Sequence, residues 1–372
     1  MLELLVSCAR GVEGLVVGEL VALGAERCEE GRGVVRCAGT WETVWRANLS
    51  LRCGRRVLVG LADWDAFDME SLREGLVRHV GRDAGLQDLL RPDRSIAIHA
   101  TTSSSRLKDG RAVAGAARTA LRAVQQRRTS AQSPIASHDP DLPLRVRVHR
   151  DRATLLLDTS GRPLDARGDG GERRDSPRAT ICAALTVAAG WDGEGELLDP
   201  YADDGRVMEE AVAVAEGWAP GGERTRWPFQ ALRSFDRRAF DRLETPRPAM
   251  PGVMVHVGDP SQSRVRALRT WAAELGIEKR CRSRHTHLSQ LTAPQARGLL
   301  VSAPPSDLSG ERWAQLGEAL KHRFPGWTAA LLCQGGGEKH LGLRPRVALR
   351  VRDGRLDATI VVLDLWAGRR DR

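Results

Sequence analysis

The chain has 372 residues, 41% of them hydrophobic, enough to bury about two or three full cores, and so reads as a globular protein of several domains. Its 57 Lys and Arg against 48 Asp and Glu give a formal charge of +9, an excess that suits a polyanionic partner and equally a solvated surface in an arginine-rich proteome. Seven cysteines without a CxxC pair argue against a disulfide framework or a zinc knuckle, no apolar run approaches a membrane span, and the acids and glycines of MLELLVSCARGVEGLVVGEL do not suit a signal peptide. No metal and no membrane partner are expected, and the expected compartment is the cytoplasm.

Residues 1–55 read as a ferredoxin-like module: a strand at Leu2–Val6, a helix with apolar spacing over Val12–Leu23, a strand at Gly33–Cys37 and a helix over Thr40–Leu49. In residues 56–165, Arg55–Leu61 alternates like a strand, Met69–Val80 is an amphipathic helix, and Ser95–Ala100 is a further strand. A polar loop carrying Arg106 and Lys108 then leads into a helical stretch. There Val113, Ala117, Ala120, Leu121 and Val124 share one face and Arg111, Arg118 and Arg122 another, with Arg127 and Arg128 following. This is a candidate phosphate-contacting surface, beside the plainer reading of a solvated helix face. Ser130–Pro143 reads as a loop, and Leu144–His149 and Ala153–Asp158 as a strand pair turned by Arg150-Asp151-Arg152.

Glycine and charge mark a linker over residues 166–178 within Gly161–Arg178, and a last domain covers 179–372. It opens with a helix at Ala179–Ala189. In ELLDPYADDGRVMEEAVAVA (196–215) a strand, a tight loop and a helix follow one another, as in a nucleotide-binding α/β sheet whose ligand sits at the carboxyl ends of the strands. Strands at Val253–Val257, Leu299–Ser302 and Trp327–Cys333, helices at Ser263–Leu275 and Trp313–His322, and a late hairpin (Arg346–Val351, Ala358–Leu365) complete the expected sheet.

The opening SCARGVEGLVVGELVALGA, the junction Leu156–Gly161 with Leu164–Gly168, the 196–215 unit, Arg226-Trp227-Pro228-Phe229 and Ala303-Pro304-Pro305-Ser306 stand in the order of one known family. Together they resemble the THUMP-domain class I S-adenosylmethionine-dependent RNA methyltransferases, most closely the bacterial enzymes that methylate guanine N2 in large-subunit ribosomal RNA. The resemblance implies an α/β protein with a ferredoxin-like plus THUMP N-terminal region and a C-terminal Rossmann-like methyltransferase domain. It also implies structured RNA, ribosomal or transfer, as partner, and S-adenosylmethionine as cofactor if the protein is active. On that reading Arg106, Lys108, Arg111, Arg118, Arg122, Arg127 and Arg128 are candidate RNA contacts.

The departures from the family fall at its chemistry. Of the glycine-rich cofactor loop, Asp199, Pro200 and Gly205 remain, with Asp203, Asp204 and Arg206 in place of glycine, serine and threonine. A carboxylate there repels the cofactor's own. Asp259 is the candidate ribose acid if the alignment slips by one, and His287 or Thr286 stands at the adenine contact. Ala303, Pro304, Pro305 and Ser306 occupy the target-amine loop, where Ala303 cannot accept a hydrogen bond and Ser306 cannot stack on a base. The leading expectation is therefore an RNA-binding protein weak or inactive in catalysis. The alternatives are an active guanine-amine methyltransferase with atypical cofactor contacts and a binding module for another nucleotide or a protein.

Overall fold

The computed structural model describes residues 1–167, 177–191, 195–201, 205–243, 253–286 and 290–366. The expected linker at 166–178 falls largely outside them. In the N-terminal half the elements are β1 (Leu2–Cys8), α1 (Glu13–Ala22), β2 (Glu26–Gly31), β3 (Val34–Gly39), α2 (Trp41–Ser50), β4 (Gly54–Asp65), α3 (Met69–Arg82), α4 (Ala84–Leu89), β5 (Ile96–Ser103), α5 (Gly110–Thr129), β6 (Leu142–His149) and β7 (Arg152–Asp158). They build one seven-stranded sheet in the order β2-β3-β1-β4-β7-β6-β5.

Strand β4 joins two modules. Its first part pairs with β1 (Val59 opposite Leu4, Gly54 opposite Cys8) and its length from Leu58 to Asp65 pairs with β7. The line between residues 55 and 56 thus runs through a strand that both modules use. Alternation puts Leu4, Val6, Val57, Val59, Leu144, Val146, Leu155 and Leu157 on one face, where they share a core with buried residues of α1, α2, α3 and α5. The other face carries Leu5, Leu58 and Leu156 among arginines.

Local chemistry explains the helix starts. Thr40 closes a capping box with Thr43, Asp68 one with Ser71, and Asp109 accepts from the N–H groups of Arg111 and Ala112 at the head of α5. The edge strand β2 (ERCEEG) is almost wholly exposed, so it shows no alternation and periodicity does not predict it.

The C-terminal half runs α6 (Ala179–Ala189), β8 (Glu196–Asp199), α7 (Arg206–Ala215), α8 (Arg237–Asp241), β9 (Val255–Asp259), α9 (Gln262–Glu274), β10 (Cys281–His285), β11 (Gly298–Ser302), α10 (Gly310–Arg323), β12 (Thr328–Gln334), β13 (Val347–Asp353) and β14 (Leu356–Asp364). Its sheet has the order β10-β9-β8-β11-β12-β14-β13. The pairs from β10 to β12 are parallel, and β14 runs against both of its neighbours. Edge strand β10 (CRSRH) has the polar character of β2 and is equally silent in the periodicity. Among the described residues no helix is long and apolar enough to cross a membrane.

The halves are docked by backbone as well as side chains. Arg10 and Arg352 exchange N–H···O bonds of 3.0 and 2.9 Å. Next to them Gly11 takes φ +92°, and a Cβ there would collide with the Arg350 carbonyl, so only glycine fits.

Candidate functional site

The order of the C-terminal sheet reverses at β8, with β9 on one side and β11 on the other, and in such sheets the ligand crevice opens at the carboxyl ends of those strands. β8 ends in Asp199, 1% exposed, followed by buried Pro200. The Asp199 Oδ1 accepts the Tyr201 N–H at 3.0 Å and the Ser302 hydroxyl at 2.5 Å, Ser302 being the fully buried last residue of β11. The loop glycine Gly205 has φ +80° and caps α7, with Leu268 and Trp271 of α9 packed where its side chain would begin. Arg206 opens α7 beside Glu209. Asp203 lies outside the described residues.

At the end of β9, Asp259 is 1% exposed. Its Oδ1 accepts the Ser261 N–H at 2.7 Å and its Oδ2 lies 3.6 Å from Arg264 Nη1, so the carboxylate turns the chain into α9. His287 lies outside the described residues. The neighbouring Thr286 gives its N–H to the Asp259 carbonyl and its hydroxyl to Gln290. Of the target-amine loop, Ala303 is half-buried, Pro304 buried, Pro305 half-buried and Ser306 exposed, and the Pro305 carbonyl accepts from Leu308 N–H ahead of α10.

One aromatic residue there was not legible as part of a site. Tyr201, half-buried, packs with Leu308 and Leu343 on the core under this loop, and burial pushes its phenol up against the opposing charge of Arg312. The signal was its rarity: it is the single tyrosine of the chain.

On the RNA-facing candidates, α5 exposes Arg111, Arg118, Arg127 and Arg128 and carries no acid. Arg122 is half-buried with its Nε out of solvent. At ~1.5 Å per residue, Arg111 and Arg128 stand roughly 25 Å apart along the helix. Arg106 pairs with Asp151 and lies 5.7 Å from the Phe67 ring centre, while Lys108 is exposed.

Between the halves lies a cleft of about 1880 Å³, walled by β5–β7 residues such as His99 and Arg145 and by Glu209, Glu210 and Ala213 of α7. Its floor is an ion cluster: Glu210, 4% exposed, meets Arg167 and, at 3.9 Å, Arg52. Arg224 gives its guanidinium to the carbonyls of Ser160, Arg162, Pro163 and Ala166 and lies 5.0 Å over the Trp227 ring. Burial, with Arg162 and Arg167 adding to it, lowers its pKa to about 10. Trp227 itself stacks on Phe229 at 5.7 Å, and Phe229, Phe235 and Phe240 surround Trp45 of α2. The tryptophan segment is thus packing between halves, and Arg226 adds a 2.8 Å ion pair to Asp141.

A parallel sheet wound outward from β8 and closed by a reversed β14, carrying a ligand crevice at its switch point, is the class I methyltransferase fold, here joined to a ferredoxin-like and a THUMP-type half. Residues 3–58 match the model of the RlmL ferredoxin-like domain. A putative RNA methyltransferase of Synechocystis is 25% identical over 96% of this chain and 95% of its own. The ribosomal RNA large subunit methyltransferase K/L of Syntrophotalea carbinolica is 29% identical over 96% of this chain, which spans 52% of that protein's length. The crystal structure of SMU.472, a putative methyltransferase complexed with SAH, superposes with a TM-score of 0.84 over 99% of both chains at 21% identity. The chain is related to S-adenosylmethionine-dependent ribosomal RNA methyltransferases, whose ferredoxin-like domain its residues 3–58 match.

Proposed function

We propose that the protein binds structured RNA, ribosomal or transfer, in the cytoplasm, and is weak or inactive as a methyltransferase. The observation that carries this reading is the target loop: at the carboxyl end of β11 the chain presents Ala303 and exposed Ser306, neither of which can hold or stack a guanine as the family's asparagine and aromatic do. The candidate ribose acid is already engaged in the fold. Asp259, the candidate ribose acid, has Oδ1 held by Ser261 and Oδ2 facing Arg264. What supports RNA as ligand is the acid-free, arginine-bearing face of α5.

Calorimetric titration with S-adenosylmethionine and its demethylated product, alongside RNA binding across a salt series, tests both halves of the reading. No cofactor binding by a folded sample with salt-dependent RNA affinity is the expected result. Stoichiometric cofactor binding would favour the second reading, an active guanine-amine methyltransferase with atypical contacts. That alternative draws on one observation: Asp199, Pro200 and left-handed Gly205 keep the strand-loop-helix frame. Under it, Asp259→Ala abolishes turnover.

A further inference from the structure

The cations of the C-terminal half gather at one edge of its sheet. Residues 262–285, which make α9 and the edge strand β10, hold seven Arg and Lys against two Glu, more than half of the chain's excess of +9. Arg264 faces Asp259 and Arg280 meets Glu216. The other five, Arg266, Arg269, Lys279, Arg282 and Arg284, are exposed, and none has a carboxylate within ion-pair reach among the described residues. Arg269 instead gives its Nε–H to the Ser283 hydroxyl at 2.9 Å, which ties α9 to β10.

Strand register fixes where these charges stand. Arg282 pairs with His256 and Arg284 with Gly258 along β9, so both arginines lie on the sheet face that carries His256, ~6.6 Å apart along one strand. Ser283 between them points to the other face, where Arg269 reaches it. Parallel neighbours are usually joined through a covering helix, yet no described residue between β10 and β11 is α-helical. Thr286 and Leu291 of that connection lie against Gly258, toward the carboxyl end of β9, and Arg282 and Arg284 remain open to solvent. Glu196, on the same face of β8, is held by His256 at 3.1 Å.

Charged residues on an edge strand commonly block strand-to-strand pairing, which accounts for Arg282 and Arg284 but not for Arg266 and Arg269 on the helix. Protein partners anchor on large apolar side chains, and the exposed ones of the described chain, such as Phe67, Trp218 and Trp366, all lie outside residues 262–285. The edge thus offers cations on both of its faces and no apolar anchor, which suits recognition of a phosphate backbone. It also leads toward the crevice: the ring of His285, the last residue of β10, meets the Pro260 carbonyl at 2.8 Å, one residue beyond Asp259.

We propose that Arg282 and Arg284, with Arg266 and Arg269 across the edge, hold the phosphate backbone of RNA along the outer edge of the C-terminal sheet, apart from the α5 surface. This rests on the RNA-binding reading above. The test is fluorescence anisotropy of a labelled RNA hairpin with a single-stranded 3′ tail, from about 50 to about 200 mM salt. The proteins are the intact chain, Arg282→Gln/Arg284→Gln, Arg282→Lys/Arg284→Lys, and Arg344→Gln/Arg355→Gln, which removes the same charge from exposed positions flanking β13 at the far edge of the sheet. The first glutamine pair is expected to weaken binding about tenfold and to lower the salt slope by ~1.4–1.8, the value for two phosphates. The lysine pair should restore most of the slope, and the far-edge pair should change neither. All should melt near the parent's temperature, because exposed unpaired charges contribute little to folding.

Unchanged affinity and slope in Arg282→Gln/Arg284→Gln, with the parent binding RNA, would overturn the edge contact and leave the RNA reading standing. An equal loss in the far-edge pair would do the same, since the effect would then be one of net charge. A parent that binds no RNA overturns both. Polyglutamate binding that Arg282→Gln/Arg284→Gln loses while it keeps RNA binding would assign the edge to an acidic protein and overturn RNA as its occupant.

Discussion

Ser302, at the end of β11, gives its hydroxyl to the Asp199 carboxylate at the end of β8 over 2.5 Å, and both side chains are almost wholly out of solvent. The bond ties together the two strands whose separation would open the crevice at the switch point. Ser302→Ala should therefore cost about 1–3 kcal/mol, because a buried carboxylate loses a charge-assisted partner and keeps the Tyr201 N–H. Denaturant unfolding reads the loss, and a cycle with Asp199→Ala should return most of it as coupling between the pair. Additive single effects would mean that the bond holds nothing.

A second carboxylate sets how the halves stay together. Glu210 on α7 faces Arg167 of the junction and Arg52 beyond α2, and the three side chains are 5, 11 and 16% exposed. Removing the anion leaves two buried cations beside each other, with Glu19 near Arg52 and Glu209 near Arg167 as the remaining acids, while Arg52 also donates to the carbonyls of Ala213 and Trp218. Breaking one side of such a buried cluster costs about 3–5 kcal/mol, so Glu210→Gln should lower the unfolding midpoint strongly. If the halves unfold separately in that variant while the parent unfolds in one step, the cluster couples them. A midpoint within error of the parent's would rule this out.

Much of the fold can be read from periodicity. The Ala179–Ala189 helix is found at its expected bounds, and the 196–215 strand-loop-helix and the α5 apolar stripe follow the spacing closely, because each buries one continuous face. Strands β2 and β10 escape, being edges whose polar residues answer to solvent and not to a core. The site was legible as positions and not as contacts. Asp259 and Asp199 can be placed at strand ends from sequence, but that one turns a helix start and the other takes a serine 103 residues away depends on register between strands. Trp227 stands out in the sequence, whereas its cluster with Trp45 needs the halves docked.

That cluster should be costly to open. Phe229 is fully buried, with Trp45, Trp227, Phe235 and Phe240 all within ring contact. Phe229→Ala leaves a cavity lined by aromatic rings that cannot close without moving α2, so a loss of about 3–5 kcal/mol is expected in denaturant unfolding. Phe229→Leu should recover a large part of it. A loss below about 1 kcal/mol for the alanine variant would mean that the segment collapses and is not a fixed packing unit.

Acid should weaken the C-terminal half through one histidine. His256 on β9 lies 3.1 Å from Glu196 of β8, with Arg282 and Arg284 of β10 close by. Burial lowers its pKa from 6.5; Glu196 opposes the shift, and the two arginines add to it. With the folded value below the unfolded one, the unfolded chain takes up a proton first as pH falls. Stability is thus intact above pH 6.5 and declines below it. Unfolding midpoints at about pH 7.5 and about pH 5.5 should differ in that direction, and less so in His256→Gln. An equal drop in that variant would place the acid sensitivity elsewhere.

The arginine face of α5 makes a separate demand on RNA binding. Arg111 and Arg118 are exposed and share a helix free of acids, so reversing them changes charge without removing an internal partner. Arg122 is a poorer probe, because its buried Nε makes a charge reversal a folding defect as well. Arg111→Glu/Arg118→Glu should weaken binding of structured RNA most at about 50 mM salt and least at about 200 mM, since counterion release carries the contact. The thermal midpoint should stay near the parent's, as solvated charges contribute little to folding. If affinity holds at low salt, α5 is a solvated face and not an RNA contact.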